Sequence, residues 1–146
     1  GLHLGGVIGL SPWLDFDNSE RCKGPNARRD HYIPVRRLDA IAQLVTGLPI
    51  IEPSLSPVNA DLAGMPPALL VCAADEVLRH DSELMAKRLH KAGVPVDLHI
   101  WQGQVHAFPV FIDVLPEAYK AVDLVVEFAH EQLGAARVGT VGDVAV

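Results

Sequence analysis

Three short apolar runs predict the strands of a sheet. Residues 6–10 form a brief apolar run that Ser11-Pro12 ends, and residues 68–73 are apolar at every position. A continuous apolar run of this length is typical of a parallel strand that helices cover on both faces. Residues 96–101 alternate between apolar and polar side chains, which predicts a half-exposed strand near a sheet edge.

Helical patterns separate these runs. A helical pattern is predicted to open at Pro34 and to stop at Gly47, since apolar residues recur every three or four positions from residue 38 to 45, which is the spacing of one helix face. A second helix is predicted between a cap at Asp81 or Ser82 and a stop at Gly93, and a third from about residue 116 to about 133. This order of elements predicts an α/β fold with a mostly parallel sheet flanked by helices.

The pattern divides the chain into one folded unit and a tail. We assign residues 1–133 to the unit and expect residues 134–146, which are mostly small or valine and lack any period, to be disordered. Residues 15–35 are polar and predict a long loop or cap segment, and residues 15–47 as a whole are expected to lie beside a cap.

Composition and charge narrow the class of protein. With 146 residues, of which 49% are hydrophobic and 21% charged, the chain is long and apolar enough to bury a core. Its 18 Asp and Glu against 12 Lys and Arg give a net charge of −6 without a basic stripe, so we expect no nucleic-acid partner. We expect no transmembrane segment, because no apolar run approaches the length of a membrane span. Its two cysteines are not spaced as metal ligands, which predicts no metal site. The small number of cysteines also favours a cytoplasmic location, because disulfide-rich chains are typical of secreted proteins.

Polar side chains that follow the second and third predicted strands are the candidates for chemistry. Asp75 comes two residues after the run at 68–73, and His106 comes five residues after the run at 96–101. The carboxyl ends of neighbouring parallel strands open on one edge of the sheet, about 5 Å apart. A carboxylate placed there can orient and stabilise a protonated imidazole. The spacing alone leaves open that Asp75 caps the next turn and that His106 is an ordinary loop histidine.

Four segments resemble the hormone-sensitive-lipase-like esterases. They follow that family's order and spacing and are SPWLD at 11–15, PPALLVCAADEVLRHDS at 66–82, AGVPV at 92–96 and WQGQVHAF at 101–108. The resemblance implies the C-terminal half of an α/β-hydrolase fold, with Asp75 as the triad acid and His106 as the triad base. The family often has proline after the acid and glycine after the histidine, where this chain has Glu76 and Ala107.

The family's nucleophile is absent from these 146 residues. Its serine lies in a Gly-x-Ser-x-Gly turn and its oxyanion hole uses an upstream His-Gly-Gly segment, and the sequence contains neither motif. Ser11 matches only the first half of that turn. Pro12 also lacks the N–H that an oxyanion hole requires after the nucleophile, so we do not expect Ser11 to attack. Trp13 and Phe108, near the same rim, are candidates to contact a bound substrate.

The resemblance implies hydrolysis of carboxylic esters through a serine acyl-enzyme, with a small acyl ester as substrate and no cofactor. Because the chain carries the expected acid and base but no nucleophile, we expect it to be inactive alone. Two alternatives stay open: a truncated, catalytically inactive relative with a binding or partner role, and an unrelated α/β binding domain. An unpaired edge of the first strand also predicts self-association.

Overall fold

A parallel sheet of three strands forms the centre of residues 4–138, the part of the chain that this computed structural model describes. In spatial order the strands are β1 (Val7–Leu10), β2 (Ala68–Ala73) and β3 (Val96–Trp101). Ala68 lies beside Val7 on one side and beside Val96 on the other. The strands therefore start level, and their carboxyl ends share one edge of the sheet. All three predicted strands are confirmed.

Helices cover both faces of the sheet because β2 buries side chains on both. Within the described residues the α-helices are α1 (Ser19–Lys23), α2 (Leu38–Thr46), α3 (Arg79–Lys91) and α4 (Pro116–Val138). Leu70 belongs to one apolar cluster with Met85 of α3, while its neighbour Leu69 belongs to a second cluster with Phe128 of α4. The predicted α/β fold is confirmed. Within the described residues, none of these helices combines the length and the apolar character that crossing a bilayer requires.

The helices differ from the sequence expectation at several points. The short α1 lies inside residues 15–35, which were expected to form a loop. The helix α3 begins at Arg79, so Asp81 lies within its first turn and does not cap it. The helix α4 continues through residues 134–138, which we expected to be disordered. The rest of that expected tail, residues 139–146, lies outside the described residues.

The edges of the sheet are β1 and β3 within residues 4–138. The side chain of Ile8 on β1 is partly exposed. An unpaired strand edge offers free N–H and C=O groups to another strand, and self-association through β1 stays a prediction.

A third apolar cluster holds the segment before α2 against the turn that follows β2. Val35 and Leu38 pack there with Val77 and Leu78, and each of these side chains is buried. The cluster packs this segment against the turn that carries the candidate site, and Trp13, Ala27, Ile33 and Ile41 pack against it.

A buried ion pair fastens the same segment to α3. Arg21 donates to Asp81, and neither side chain has exposed surface. The carboxylate of Asp81 also accepts the backbone N–H groups of Leu14 and Asp15, both at 2.8 Å. Burial raises the pKa of Asp81, while Arg21 and the two N–H groups act in the opposite direction. The predicted role of Asp81 as a helix cap is therefore wrong, because its carboxylate binds a different part of the chain.

Candidate active site

Side chains that follow the three strands meet at the carboxyl edge of the sheet. Ser11 follows β1 directly, Glu76 lies three residues beyond β2, and His106 lies five residues beyond β3. Because the strands are parallel and start level, these side chains are neighbours even though Ser11 and Glu76 are 65 positions apart in the sequence.

Glu76 is the buried acid of this cluster. The residue is only 2% exposed, and its Oε2 accepts a hydrogen bond from the Ser11 hydroxyl at 2.7 Å. Its Oε1 makes no hydrogen bond within the described residues. A carboxylate buried beside a single hydroxyl donor is incompletely satisfied, and such groups are uncommon in folded proteins.

His106 faces Glu76 through one ring nitrogen. Its Nδ1 lies 3.4 Å from Glu76 Oε2. This distance suits an ion pair, but the two atoms do not form an aligned hydrogen bond, and Nδ1 has no hydrogen-bond partner within residues 4–138. The His106 side chain is 17% exposed, so the ring lies between the buried acid and the surface. Since Nδ1 faces the acid, Nε2 is left for a partner on the other side of the ring.

The structure corrects the expected contact between Asp75 and His106. The side chain of Asp75 is 47% exposed, and its Oδ1 pairs with Arg29 Nη1 at 3.3 Å. The carboxylate beside His106 is that of the next residue, Glu76. Of the two predicted residues, His106 therefore lies in the cluster, and Asp75 lies at its exposed rim.

The turn after β2 explains why Glu76, and not Asp75, faces His106. The strand ends at Ala73, and Ala74 and Asp75 form a turn, so strand alternation no longer decides which side chain faces the sheet edge. Asn26 holds the turn by donating from Nδ2 to the backbone oxygens of Ala74 and Glu76, at 2.9 and 2.8 Å. Glu76 therefore faces inward, whereas Asp75 faces solvent.

A cleft opens above His106. It encloses about 150 Å³. The ring of Tyr32 covers one face of the His106 ring, with the centroids 5.5 Å apart and the planes tilted by 31°. The cleft is lined by Arg29, Asp30, His31, Tyr32, Asp75, Glu76, Gln104, Val105 and His106. Tyr32 and Gln104 could not be singled out as cleft residues from the sequence, because both lie in irregular loops.

The two aromatic residues proposed to contact substrate lie elsewhere. Phe108 has no exposed surface and packs in the apolar cluster beneath α4, 5.4 Å from the ring of Trp101. Trp13 packs against the cluster beside α2, and its Nε1 donates to the backbone oxygen of Asp15 at 2.8 Å. Neither residue lines the cleft. Their placement does not favour the predicted substrate contacts.

The hydroxyl of Ser11 makes two hydrogen bonds within the protein. It donates to Glu76 and accepts the N–H of Ala107 at 2.9 Å. This geometry agrees with the expectation that Ser11 is not a nucleophile. Within residues 4–138, no three His, Cys, Asp or Glu side chains converge as metal ligands would.

Comparison with known proteins finds esterases among the relatives of this chain. The esterase LipU of Mycobacterium tuberculosis (strain ATCC 25618 / H37Rv) is 33% identical over 137 residues, which cover 88% of this chain and 46% of LipU. The carboxylesterase/phospholipase LipF of the same strain is 29% identical over 134 residues, which cover 86% of this chain and 35% of LipF. The chain thus spans less than half the length of these two curated relatives.

Solved structures give the same result. A crystal structure of an esterase from the bacterial hormone-sensitive lipase family superimposes with a TM-score of 0.82 at 32% identity, covering 88% of this chain and 43% of that one. The EstE5-PMSF structure superimposes with a TM-score of 0.78 at 31% identity, covering 90% of this chain and 44% of that one. The family profile described as alpha/beta hydrolase fold matches residues 1–110. This chain therefore belongs to the α/β-hydrolase-fold family and resembles its bacterial hormone-sensitive-lipase-like esterases, as the four sequence segments predicted.

Proposed function

We propose that this chain supplies the acid and the base of a serine-dependent carboxylic ester hydrolase. Glu76 is the acid and His106 is the base. The nucleophilic serine comes from a part of the protein outside these 146 residues. The observation that supports the proposal most is the 3.4 Å approach of His106 Nδ1 to the buried Oε2 of Glu76, at the floor of a cleft. Hydrogen bonds of this kind are often long without substrate and shorten in the reacting complex.

Glu76 replaces Asp75 as the proposed acid for two reasons. Glu76 is buried and approaches the imidazole, whereas Asp75 is half exposed and its charge is paired with Arg29. Glutamate serves as well as aspartate in triads of this fold. A charge shielded by solvent and by a guanidinium stabilises an imidazolium much less than a buried one does.

The proposed reaction divides one difficult step into two. The serine Oγ attacks the acyl carbon while His106 Nε2 takes its proton, and Glu76 stabilises the imidazolium that forms. The ester C–O bond then breaks, and His106 returns the proton to the departing alcohol. In the second half, His106 takes a proton from water, the hydroxide attacks the acyl-enzyme, and the released serine oxygen recovers the proton. The route requires no cofactor.

We propose a small acyl ester as the substrate. The cleft above His106 encloses about 150 Å³ and is bounded by Tyr32 and Val105, which suits a short acyl or alcohol group. The names of the relatives, an esterase and a carboxylesterase/phospholipase, support the same class of bond.

The test uses the parent protein, by which we mean the polypeptide that joins these 146 residues to an upstream Gly-x-Ser-x-Gly segment. The substitution His106→Ala is expected to lower kcat on p-nitrophenyl acetate by about 10³-fold or more. The control is His130→Ala, which removes an exposed histidine of α4 and is expected to leave kcat unchanged. Near-normal kcat in His106→Ala would remove His106 from the reaction.

A second measurement concerns the 146-residue chain alone. It is expected to hydrolyse p-nitrophenyl acetate no faster than its own His106→Ala variant. Turnover that depends on His106 would place a nucleophile inside this chain and contradict the proposal. A parent protein without measurable hydrolysis would also contradict it and would favour a binding role.

A further inference from the structure

We propose that Ser11 is a positioning residue whose single hydroxyl fixes both the acid and the base of the active site. This inference rests on the proposed roles of Glu76 and His106. Ser11 itself does not touch the substrate in this proposal. It acts through the two residues that do the chemistry.

The hydroxyl of Ser11 connects the acid to the loop that carries the base. Its Oγ donates to Glu76 Oε2 at 2.7 Å and accepts from the N–H of Ala107, the residue after His106, at 2.9 Å. The same Oε2 lies 3.4 Å from His106 Nδ1. One buried group therefore sets the position of the carboxylate oxygen and of the backbone next to the imidazole.

The backbone on both sides of this bond is strained. Ser11 has a φ of 48° and Ala107 a φ of 54°, and within the described residues they are the two non-glycine residues with positive φ. Such conformations are unfavourable for residues with a Cβ and persist where the surrounding contacts determine them. Here the two strained residues are hydrogen-bonded to each other, across 96 positions of sequence.

The environment of Ser11 leaves this hydroxyl no other partner that the structure shows. The residue is 4% exposed, and its own N–H is bonded to the backbone oxygen of Val71 at 2.7 Å. The following residue is Pro12, which donates no N–H. A hydroxyl held in this way is a poor nucleophile but a good donor to an ionised carboxylate.

The hydrogen bond from Ser11 also acts on the charge of the Glu76 carboxylate. A hydrogen bond to an ionised carboxylate stabilises the charged form. Without that donor the negative charge of Glu76 is less stabilised by hydrogen bonding and interacts more strongly with a protonated His106 ring 3.4 Å away. Loss of the Ser11 hydroxyl should therefore move the titration of His106 to higher pH, which a merely structural defect would not do.

The test compares Ser11→Ala and Ser11→Gly with Ser56→Ala in the parent protein. Ser56 is the matched control because it is a buried serine whose hydroxyl also accepts a backbone N–H, from Phe16, but is not hydrogen-bonded to Glu76. Both Ser11 variants are expected to lower kcat by about 10- to 100-fold, the size expected for one hydrogen bond to a charged group, with KM nearly unchanged. The acidic limb of kcat/KM should shift to higher pH. The control should show neither effect.

Glycine is included because it accepts positive φ without strain, so we expect Ser11→Gly to fold even if Ser11→Ala does not. Equal loss of activity in both variants would assign the effect to the hydroxyl. Normal kcat in a folded Ser11→Gly protein, or a lower kcat with an unmoved acidic limb, would overturn the positioning role.

A measurement without turnover separates this inference from the proposed function. The imidazole resonances of the 146-residue chain can be titrated by NMR, with the His106 signal identified as the one that His106→Ala removes. Ser11→Gly is expected to raise the pH midpoint of that signal, and Ser56→Ala is not. An unchanged midpoint overturns the inference even in an active parent protein, while an inactive parent protein with a shifted midpoint contradicts only the proposed function.

Discussion

Arg21 and Asp81 form an ion pair in which neither side chain has exposed surface. Because the pair is buried, removal of one partner leaves the other charge without compensation. Asp81→Ala also removes the acceptor of the Leu14 and Asp15 N–H groups. We expect Asp81→Ala to lower the free energy of unfolding by about 3 to 5 kcal/mol, as measured by urea denaturation.

The matched control is the exposed ion pair between Arg79 and Glu83, whose side chains are 36% and 45% exposed. Glu83→Ala is expected to change the free energy of unfolding by less than about 1 kcal/mol. Equal effects of the two substitutions would mean that the buried pair contributes nothing beyond a surface contact.

The adjacent carboxylates Asp75 and Glu76 provide a direct comparison. In the parent protein Glu76→Gln is expected to lower kcat on p-nitrophenyl acetate by about 10⁴-fold, the effect of neutralising a triad acid. Asp75→Asn is expected to change kcat by less than about threefold, because its charge is half exposed and paired with Arg29. The reverse ranking would restore Asp75 as the acid.

Ala107 occupies a left-handed backbone conformation, with a φ of 54°. Glycine adopts this region without strain, so we expect Ala107→Gly to raise the free energy of unfolding by about 1 kcal/mol. The same substitution at Ala86, inside α3, should lower it by about 1 kcal/mol. Thermal or urea unfolding of the two variants measures both signs, and destabilisation by Ala107→Gly would show that the alanine methyl group contributes packing.

Burial raises the pKa of the Cys72 thiol to about 12, with a smaller contribution from the charge of Glu76. The thiol of an unfolded chain has a pKa of about 8.5. A raised pKa in the folded state means that the neutral thiol stabilises the fold. This contribution is complete below about pH 8.5 and is lost as the pH rises toward 12.

The free energy of unfolding should accordingly fall more steeply between about pH 9 and pH 11 in the wild type than in Cys72→Ala. Parallel pH profiles would show that Cys72 does not titrate on unfolding. A thiol reagent at neutral pH gives a second check, because Cys22 is exposed and Cys72 is buried. One thiol should react in the folded chain and two after denaturation.

The strands could be predicted because their patterns are local. The continuous apolar run of β2 and the alternating pattern of β3 predicted the observed bounds, 68–73 and 96–101. A strand buried on both faces is apolar at every position, and a strand buried on one face alternates between apolar and polar residues. The spacing of apolar residues also predicted the helix α2, although it begins at Leu38 and not at the expected Pro34. The parallel order then brought His106 to the expected edge of the sheet.

Which carboxylate faces His106 could not be predicted, because Asp75 and Glu76 both follow the end of β2 in a turn. Beyond the end of β2, the direction of each side chain depends on contacts from distant residues, and Asn26 makes the deciding ones. The buried ion pair between Arg21 and Asp81 could not be predicted for the same reason, since it joins residues 60 positions apart. Asp81 looked like a helix cap because a cap is the local interpretation of an acidic residue at that place.

The spatial order of the strands equals their order in the chain. No strand from another part of the described chain separates β1, β2 and β3, so Ser11, Glu76 and His106 are assembled by one contiguous segment. We therefore expect this cluster to form before any further segment of the protein packs against it. Under the proposed function, a separately expressed polypeptide that carries the nucleophilic serine would dock against the preformed cluster of Ser11, Glu76 and His106, and recovered hydrolysis would report the association of the two pieces.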